Sequence, residues 1–228
     1  MNPQKKGHPG LSILIPAAGA SDRLGRPKQL VEYRGVTLIQ RTVDKAFAIG
    51  PGEVIVVTGC QANAVQQAVH QTRVRWVLHP NWSRGMGTSI AAGAARVSPQ
   101  SNSLMVLFCD QWRVGKEDLE RLMETWQSEP ERIVCARAEG RNMPPVIFPS
   151  RYFSQLQALN GRRGAHALLA DHASRLGNPA TTASSLGRSG WSGYRNCSGV
   201  SGKFPCKVGE ACASLARRCD DTACWWTS

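Results

Sequence analysis

Apolar residues in this chain fall into short runs separated by stretches of helical spacing, the rhythm of alternating strands and helices. Residues 11–15 are a compact apolar run rich in branched side chains, which predicts a buried strand. Residues 29–35 read as a short extended segment and a turn. Val36, Ile39, Val43, Ala46, Phe47 and Ile49 then keep helical spacing up to a stop at Gly50, Pro51 and Gly52. Residues 53–58 are a nearly continuous Val/Ile run, the composition of a strand covered on both faces in a parallel sheet. A helix over 61–71, strands over 74–78 and 104–109, a helix over 115–127 and strands over 132–136 and 145–148 continue the series. The alternation predicts an α/β fold: three layers, with a mostly parallel sheet between helices and right-handed crossovers.

The stretches that follow the strands carry the chemistry. After the first strand come Ala17, Ala18, Gly19, Ala20, Ser21 and Gly25, small residues that leave backbone N–H groups open to a close-approaching phosphate or base. Arg23 and Lys28 add fixed positive charge beside that cradle, as a triphosphate in a partly dry site requires. The spacings of the P-loop and of the dinucleotide fingerprint are both missing. Gly59, next after residues 53–58, joins the candidate nucleotide-binding set. Residues 104–109 run straight into Asp110 and Gln111, and ligands of open α/β sheets gather outside the carboxyl ends of strands. A carboxylate there is the hard oxygen ligand that Mg²⁺ prefers, with triphosphate oxygens and water completing its shell. The plain alternatives are a surface turn after the first strand and a surface Asp after the fourth, and His79 reads as a loop residue.

Charge and length narrow the classes. The 228 residues suit one domain with an appended segment, and no apolar run approaches the roughly 20 residues of a membrane span. The formal net charge of +12 comes from scattered Lys and Arg without a dense basic block, so a surface that draws in anionic nucleotides is a simpler account than nucleic-acid binding. Lys5 and Lys6 before an apolar run have the outline of an export signal, but Ser12 and Pro16 interrupt it and its removal would delete the first strand. Cys60, Cys109 and Cys135 sit in apolar company at or near strand ends, as small hydrophobes.

The pattern Ala-Ala-Gly-x-Ser-x-Arg-x-Gly-x-x-Lys-x-Leu, from Ala17 to Leu30, resembles the signature loop of the MobA-like nucleotidyltransferases. Within them it is most similar to the molybdenum cofactor cytidylyltransferases, because the guanylyl branch usually has Ala-Gly-Gly where Ala17, Ala18 and Gly19 stand. Residues 79–89 resemble the family's second nucleotide segment, in which Gly85, Met86, Gly87 and Ser89 would open a helix over 87–97. A plain loop with a helix cap at Thr88 or Ser89 is the local alternative. Asp110, Gln111 and Trp112 stand where the family has Asp-Gln-Pro, residues 142–146 resemble the Gly-x-Pro-Val segment beside the second substrate, and residues 159–165 resemble Leu-x-Gly-Asp-x-Gly-Ala with Arg162 in the acidic place.

The resemblance implies a Rossmann-like nucleotidyltransferase fold over residues 10–173. It implies transfer of CMP from CTP to the terminal phosphate of a molybdenum-carrying molybdopterin, with release of pyrophosphate. Arg23, Lys28 and Asp110 would be catalytic, and Asp110 would hold Mg²⁺. Ala17, Ala18, Gly19, Ser21, Arg23, Gly25, Lys28, Gly59, Gly85, Met86, Gly87 and Ser89 would bind the nucleotide. It also implies a cytoplasmic protein that works beside a molybdenum hydroxylase, without nucleic acid or membrane. Two alternatives stay open: a nucleotidyltransferase for a sugar phosphate or other alcohol phosphate, and a nucleotide-binding accessory protein that has lost catalysis. Trp112, Arg162 and a missing second acid favour the latter.

Residues 174–228 change character. Beyond Gly177 the branched and long aliphatic residues are Leu186, Val200, Val208 and Leu215, too few for another buried parallel strand. The family's Asp-x-Asp-Thr-Pro-like stretch has only an echo in Asp220, Asp221 and Thr222, and Asp171 is a further candidate acid. Cys197, Cys206, Cys212, Cys219 and Cys224 are odd in number and lack a Cys-x-x-Cys knuckle, which argues against zinc, and a disulfide framework would need secretion. The expectation is an atypical tail, unrelated to the family's C-terminus or frame-shifted.

Overall fold

The computed structural model describes residues 7–112, 114–138, 141–161, 164, 165, 168 and 169. The expectations for Arg162, Asp171 and the tail lie outside these residues. Strand β1 (His8–Ala17) is followed by a small hairpin, β2 (Glu32–Tyr33) and β3 (Val36–Thr37), and by helix α1 (Leu38–Ala48). Then come β4 (Pro51–Thr58), α2 (Ala62–Gln67), β5 (Val74–Leu78), α3 (Met86–Ala94), β6 (Ser103–Val106), α4 (Lys116–Ser128), β7 (Val134–Ala138), β8 (Arg141–Pro149) and α5 (Phe153–Gln157).

Six strands form one sheet in the order β5-β4-β1-β6-β8-β7. β1 is central and runs parallel to both β4 and β6, while β8 is antiparallel to β6 and to β7. A mostly parallel sheet was the expectation, and the antiparallel pair arises because β7 and β8 are a hairpin with no crossover helix between them. Side chains alternate across β1: Leu11, Ile13, Ile15 and Ala17 join Ile39, Val43, Leu119, Leu122 and Trp126 in one apolar layer. On the opposite face Leu14 and Ala18 join Ile55, Ile90, Ala94 and Phe148. Burial of both faces is why β1 and β4 read as unbroken apolar runs.

Most strand limits shift by a few residues, β6 ending at Val106 and not at residue 109, and three further boundaries differ for a visible reason. Val36 belongs to β3 and not to the first helix, because Arg34 and Gly35 both take positive φ (53° and 73°), the backbone of a tight primed hairpin turn. The helix instead starts after Thr37, whose hydroxyl accepts from the Gln40 N–H at 3.3 Å. α2 stops at Gln67, four residues early, since the His70 N–H is taken by the Gln40 side-chain oxygen at 2.7 Å. α3 begins at Met86 and ends at Ala94, with Gly85 as its N-cap at φ 121° and ψ 170°, so neither Thr88 nor Ser89 caps it.

The order of strands sets where a ligand can sit. From β1 the chain moves outward to β4 and β5, then returns to the other side of β1 as β6. This reversal opens a crevice above the carboxyl ends of β1 and β6. Helix α3 reaches that end because Gly93 lets it lie close on the sheet: a Cβ there would run into the Leu14 side chain and lie 2.9 Å from Val57 Cγ2. Gly93→Ala raises helix propensity by about 1 kcal/mol yet overpacks this contact, which typically costs about 1–3 kcal/mol. Urea denaturation of the variant is expected to show a net loss of stability, and an unchanged midpoint would contradict the close approach.

Candidate functional site

The signature loop is tied down from below. Gln29, 1% exposed, donates its side-chain N–H groups to the carbonyls of Ala17 (2.7 Å) and Gly19 (3.0 Å), and the Cys60 N–H takes the Ala18 carbonyl at 2.8 Å. Three successive carbonyls are thereby turned inward. Among the described residues no hydrogen bond is made by the N–H groups of Gly19 and Ala20, so the loop offers donors on its open side. Ser21 (φ 59°) and Gly25 (φ 69°) then reverse the chain around a single 3₁₀ turn, Asp22–Leu24, which contains Arg23. The Ser21 hydroxyl accepts from the Lys28 N–H at 3.1 Å and so closes the loop on itself.

Lys28 and Asp110 meet above the crevice. The Lys28 Nζ lies 2.7 Å from Asp110 Oδ2, with side-chain exposures of 20% and 24%. They are separated by 82 residues of sequence and come together because β1 and β6 are neighbours. The turn that presents Asp110 is built by Gln111, whose buried side-chain oxygen accepts from the Phe108 N–H (3.2 Å) while its nitrogen donates to the Pro144 carbonyl (2.6 Å). Lys45, on α1, donates from the other side to the carbonyls of Gln111 (3.4 Å) and Trp112 (3.0 Å). The residue that follows Gln111 is thus held by a lysine, where the resembled family has the stiffness of proline.

The second segment sits beside the loop, and part of its expected role is filled from within the protein. The Gly87 N–H donates to the Gly161 carbonyl at 3.0 Å and the Thr88 N–H to the Gly85 carbonyl at 3.1 Å. Two N–H groups in the first turn of the segment expected to bind the nucleotide therefore already have partners. Met86 packs toward Gly164, and Ser89 is buried. The Thr88 hydroxyl gives its hydrogen to the Gly85 carbonyl (2.8 Å), so its contact with His79 Nε2 (2.9 Å) requires an N–H on that nitrogen. Burial and then the Arg84 charge lower the His79 pKa, which favours the neutral ring. Gly59 has a packing reason: a Cβ there would lie 2.6 Å from the Trp82 ring.

Cys109 and Cys135 are buried, and burial raises their pKa to about 12 and about 11, so both stay protonated thiols near neutral pH. Among the described residues no three His, Cys, Asp or Glu side chains gather as a metal-ligand group. No described helix is long and apolar enough to cross a membrane.

Gln29 and Lys45 were not singled out from the sequence, and Gln111 was named only for its place after Asp110. The side chains of Gln29 and Lys45 donate to backbone carbonyls remote in sequence, and linear spacing carries no signal for such contacts. Lys45 is measurable through pH. Burial, then the charge of Arg41, lower its pKa from 10.5 to about 8. Between these two values the unfolded chain binds a proton that the folded chain has released, so this group makes stability rise with pH across that window. The parent's melting temperature minus that of Lys45→Met is expected to increase from about pH 8 to about pH 10, as the linkage requires. A constant difference would mean that Lys45 is not buried against the turn.

The family description "MobA-like NTP transferase domain" matches residues 13–176. The nicotine blue oxidoreductase of Paenarthrobacter nicotinovorans is 34% identical over 140 residues, 61% of this chain and 67% of that protein. The bifunctional IPC transferase and DIPP synthase of Rubrobacter xylanophilus is 39% identical over 100 residues, 41% of this chain and 23% of that protein. This chain thus spans about two thirds of the first relative and under a quarter of the second. Among solved structures, Rv0371c of Mycobacterium tuberculosis H37Rv superposes with a TM-score of 0.65 at 28% identity, covering 72% of this chain and 84% of that one. A manganese complex of the same protein superposes with a TM-score of 0.61 at 26% identity, covering 71% and 82%. The match over most of the sheet, together with the signature loop on β1, places the chain in one group: it belongs to the MobA-like NTP transferase family, the nucleotidyltransferase class expected from that loop.

Proposed function

We propose that this protein transfers CMP from CTP to the terminal phosphate of a molybdenum-carrying molybdopterin and releases pyrophosphate, in the cytoplasm and beside a molybdenum hydroxylase that receives the product. The observation that carries the reading is the Lys28–Asp110 pair at 2.7 Å, set at the crevice of the sheet under a loop with open N–H donors. In this reading a phosphate oxygen of the acceptor attacks the α-phosphorus of CTP in line, and the bond to the pyrophosphate oxygen breaks. The chain's task is alignment and neutralisation of charge. Lys28 and Arg23 would hold the triphosphate and steady the leaving pyrophosphate. Ala17, Ala18, Gly19, Ser21, Gly25, Gly59, Gly85, Met86, Gly87 and Ser89 would frame the nucleotide.

In this reading Asp110 would hold Mg²⁺. A single acid suits an ion whose other ligands are triphosphate oxygens and water, so the metal would enter with the nucleotide as its complex. When bound, Mg²⁺ offsets negative charge on the phosphates. The manganese complex of Rv0371c shows a divalent ion with a protein of this fold.

A second reading keeps nucleotide-site architecture without transfer chemistry. It is favoured by the relative named an oxidoreductase, which shares 34% identity over 140 residues. A sugar phosphate or other alcohol phosphate as acceptor is a variant of the first reading.

Pyrophosphate release from CTP, with Mg²⁺ and acceptor, separates these readings. CTP is expected to be preferred over GTP. Asp110→Asn, which removes charge but keeps size, is expected to lower kcat on the order of a hundredfold, the usual scale for loss of a preorganised transition-state contact. Lys28→Ala is expected to weaken CTP binding and turnover together, since it meets the phosphates in both states. Tight CTP binding without pyrophosphate release from any acceptor would favour the second reading.

A further inference from the structure

Helix α1 carries two cations one turn apart, Arg41 and Lys45, and like charges at this spacing repel each other on a helix. Each is engaged by the backbone of a different segment. Arg41 donates from Nη2 (2.6 Å) and Nε (3.1 Å) to the Tyr33 carbonyl, and its guanidinium lies 5.1 Å from the centre of the Tyr33 ring. Lys45 donates to the carbonyls of Trp112 (3.0 Å) and Gln111 (3.4 Å). The two segments also meet each other, since the rings of Tyr33 and Trp112 have centroids 4.9 Å apart.

These segments are the ones that carry the ion pair. The Lys28 carbonyl accepts from the Val31 N–H (3.1 Å), the Val31 carbonyl accepts from the Leu38 N–H at the start of α1 (2.9 Å), and Tyr33 follows in β2. Trp112 stands in the turn that presents Asp110, where the Gln111 N–H donates to the Phe108 carbonyl (3.2 Å) and the Val114 N–H to the Gln111 carbonyl (3.1 Å). The helix itself is fixed on the sheet by Ile39, Val43 and Ala46, all fully buried. One helix thus holds both backbones, at two points one turn apart.

We propose that Arg41 and Lys45 form a brace that fixes the gap between the backbones carrying Lys28 and Asp110, and so act as positioning residues for the divalent ion that enters with the nucleotide. The role toward the ion rests on the proposed transfer reaction; the brace does not. Contacts behind a metal ligand act by orienting it, and their loss typically lowers metal affinity about 10–100-fold. The charge of Lys45 by itself works the other way, because a cation near the ion repels it. The sign of the effect therefore separates positioning from bare electrostatics.

Hydrogen exchange read by mass spectrometry tests the brace in the full chain without nucleotide. Lys45→Met is expected to lose protection in the turn, at the Gln111 and Val114 N–H groups, and also in the hairpin, at the Leu38 N–H. Arg41→Met is expected to lose it in both segments as well, while β4 exchanges as in the parent. Lys45→Arg, which keeps charge and donors, should stay protected in both. Loss confined to the segment that each residue touches, or spread equally into β4, overturns the brace. Calorimetry of CTP binding in EDTA and with Mn²⁺ tests the role toward the ion. Mn²⁺ is expected to strengthen CTP binding to the parent, and Lys45→Met to cut that gain about tenfold or more, with Lys45→Arg close to the parent. An equal or larger gain in Lys45→Met overturns the positioning role. If Mn²⁺ gives no gain even in the parent, the proposed metal site fails and the role toward the ion with it, while the exchange result decides the brace.

Discussion

A lysine and a carboxylate 82 residues apart in sequence are held together above two adjacent parallel strands, and the site is arranged around that pair. Lys28 and Asp110 are each about a fifth to a quarter exposed, so water still screens them. Fully exposed pairs contribute about 0–1 kcal/mol, and this partly buried pair is still reached by water, so a competing ligand of higher charge can open it. A triphosphate with its divalent ion presents opposite charge to each partner at once. In the proposed function the nucleotide and its metal would replace this contact.

The supports of the pair share one device. Gln29 holds the carbonyls of Ala17 and Gly19, Gln111 holds Pro144, and Lys45 holds Gln111 and Trp112. Each occupies a carbonyl that would otherwise be short of a donor near the buried edge of the sheet. With the carbonyls engaged below, the N–H groups of Gly19 and Ala20 make no hydrogen bond among the described residues, and in the proposed function they would meet the phosphates. The basic surface, +12 in formal charge, works in the same direction at longer range.

The core of the fold was legible because burial on both faces leaves little choice of residue. β1 and β4 read directly as apolar runs, and helix α1 read from the spacing of Ile39, Val43 and Ala46. The hairpin at Arg34 and Gly35 did not, because Val36 fits a helix and a short strand equally well. At the site, Lys28 and Asp110 could be named from their positions after strands, but their mutual ion pair depends on strand order, which the linear pattern does not specify. The Gly87 donor was read as open because its partner, the Gly161 carbonyl, comes from a segment 74 residues away by number. Gln29 and Lys45 drew no reading as site residues for the same reason.

The central claim is that nucleotide and metal replace the Lys28–Asp110 contact. A crystal structure of the protein with CTP and a divalent cation tests it directly. The account predicts Lys28 Nζ on a phosphate oxygen, the ion on Asp110, and a separation beyond the roughly 4 Å that defines an ion pair. Bound CTP with the pair still closed at 2.7 Å, and no ion on Asp110, would contradict it.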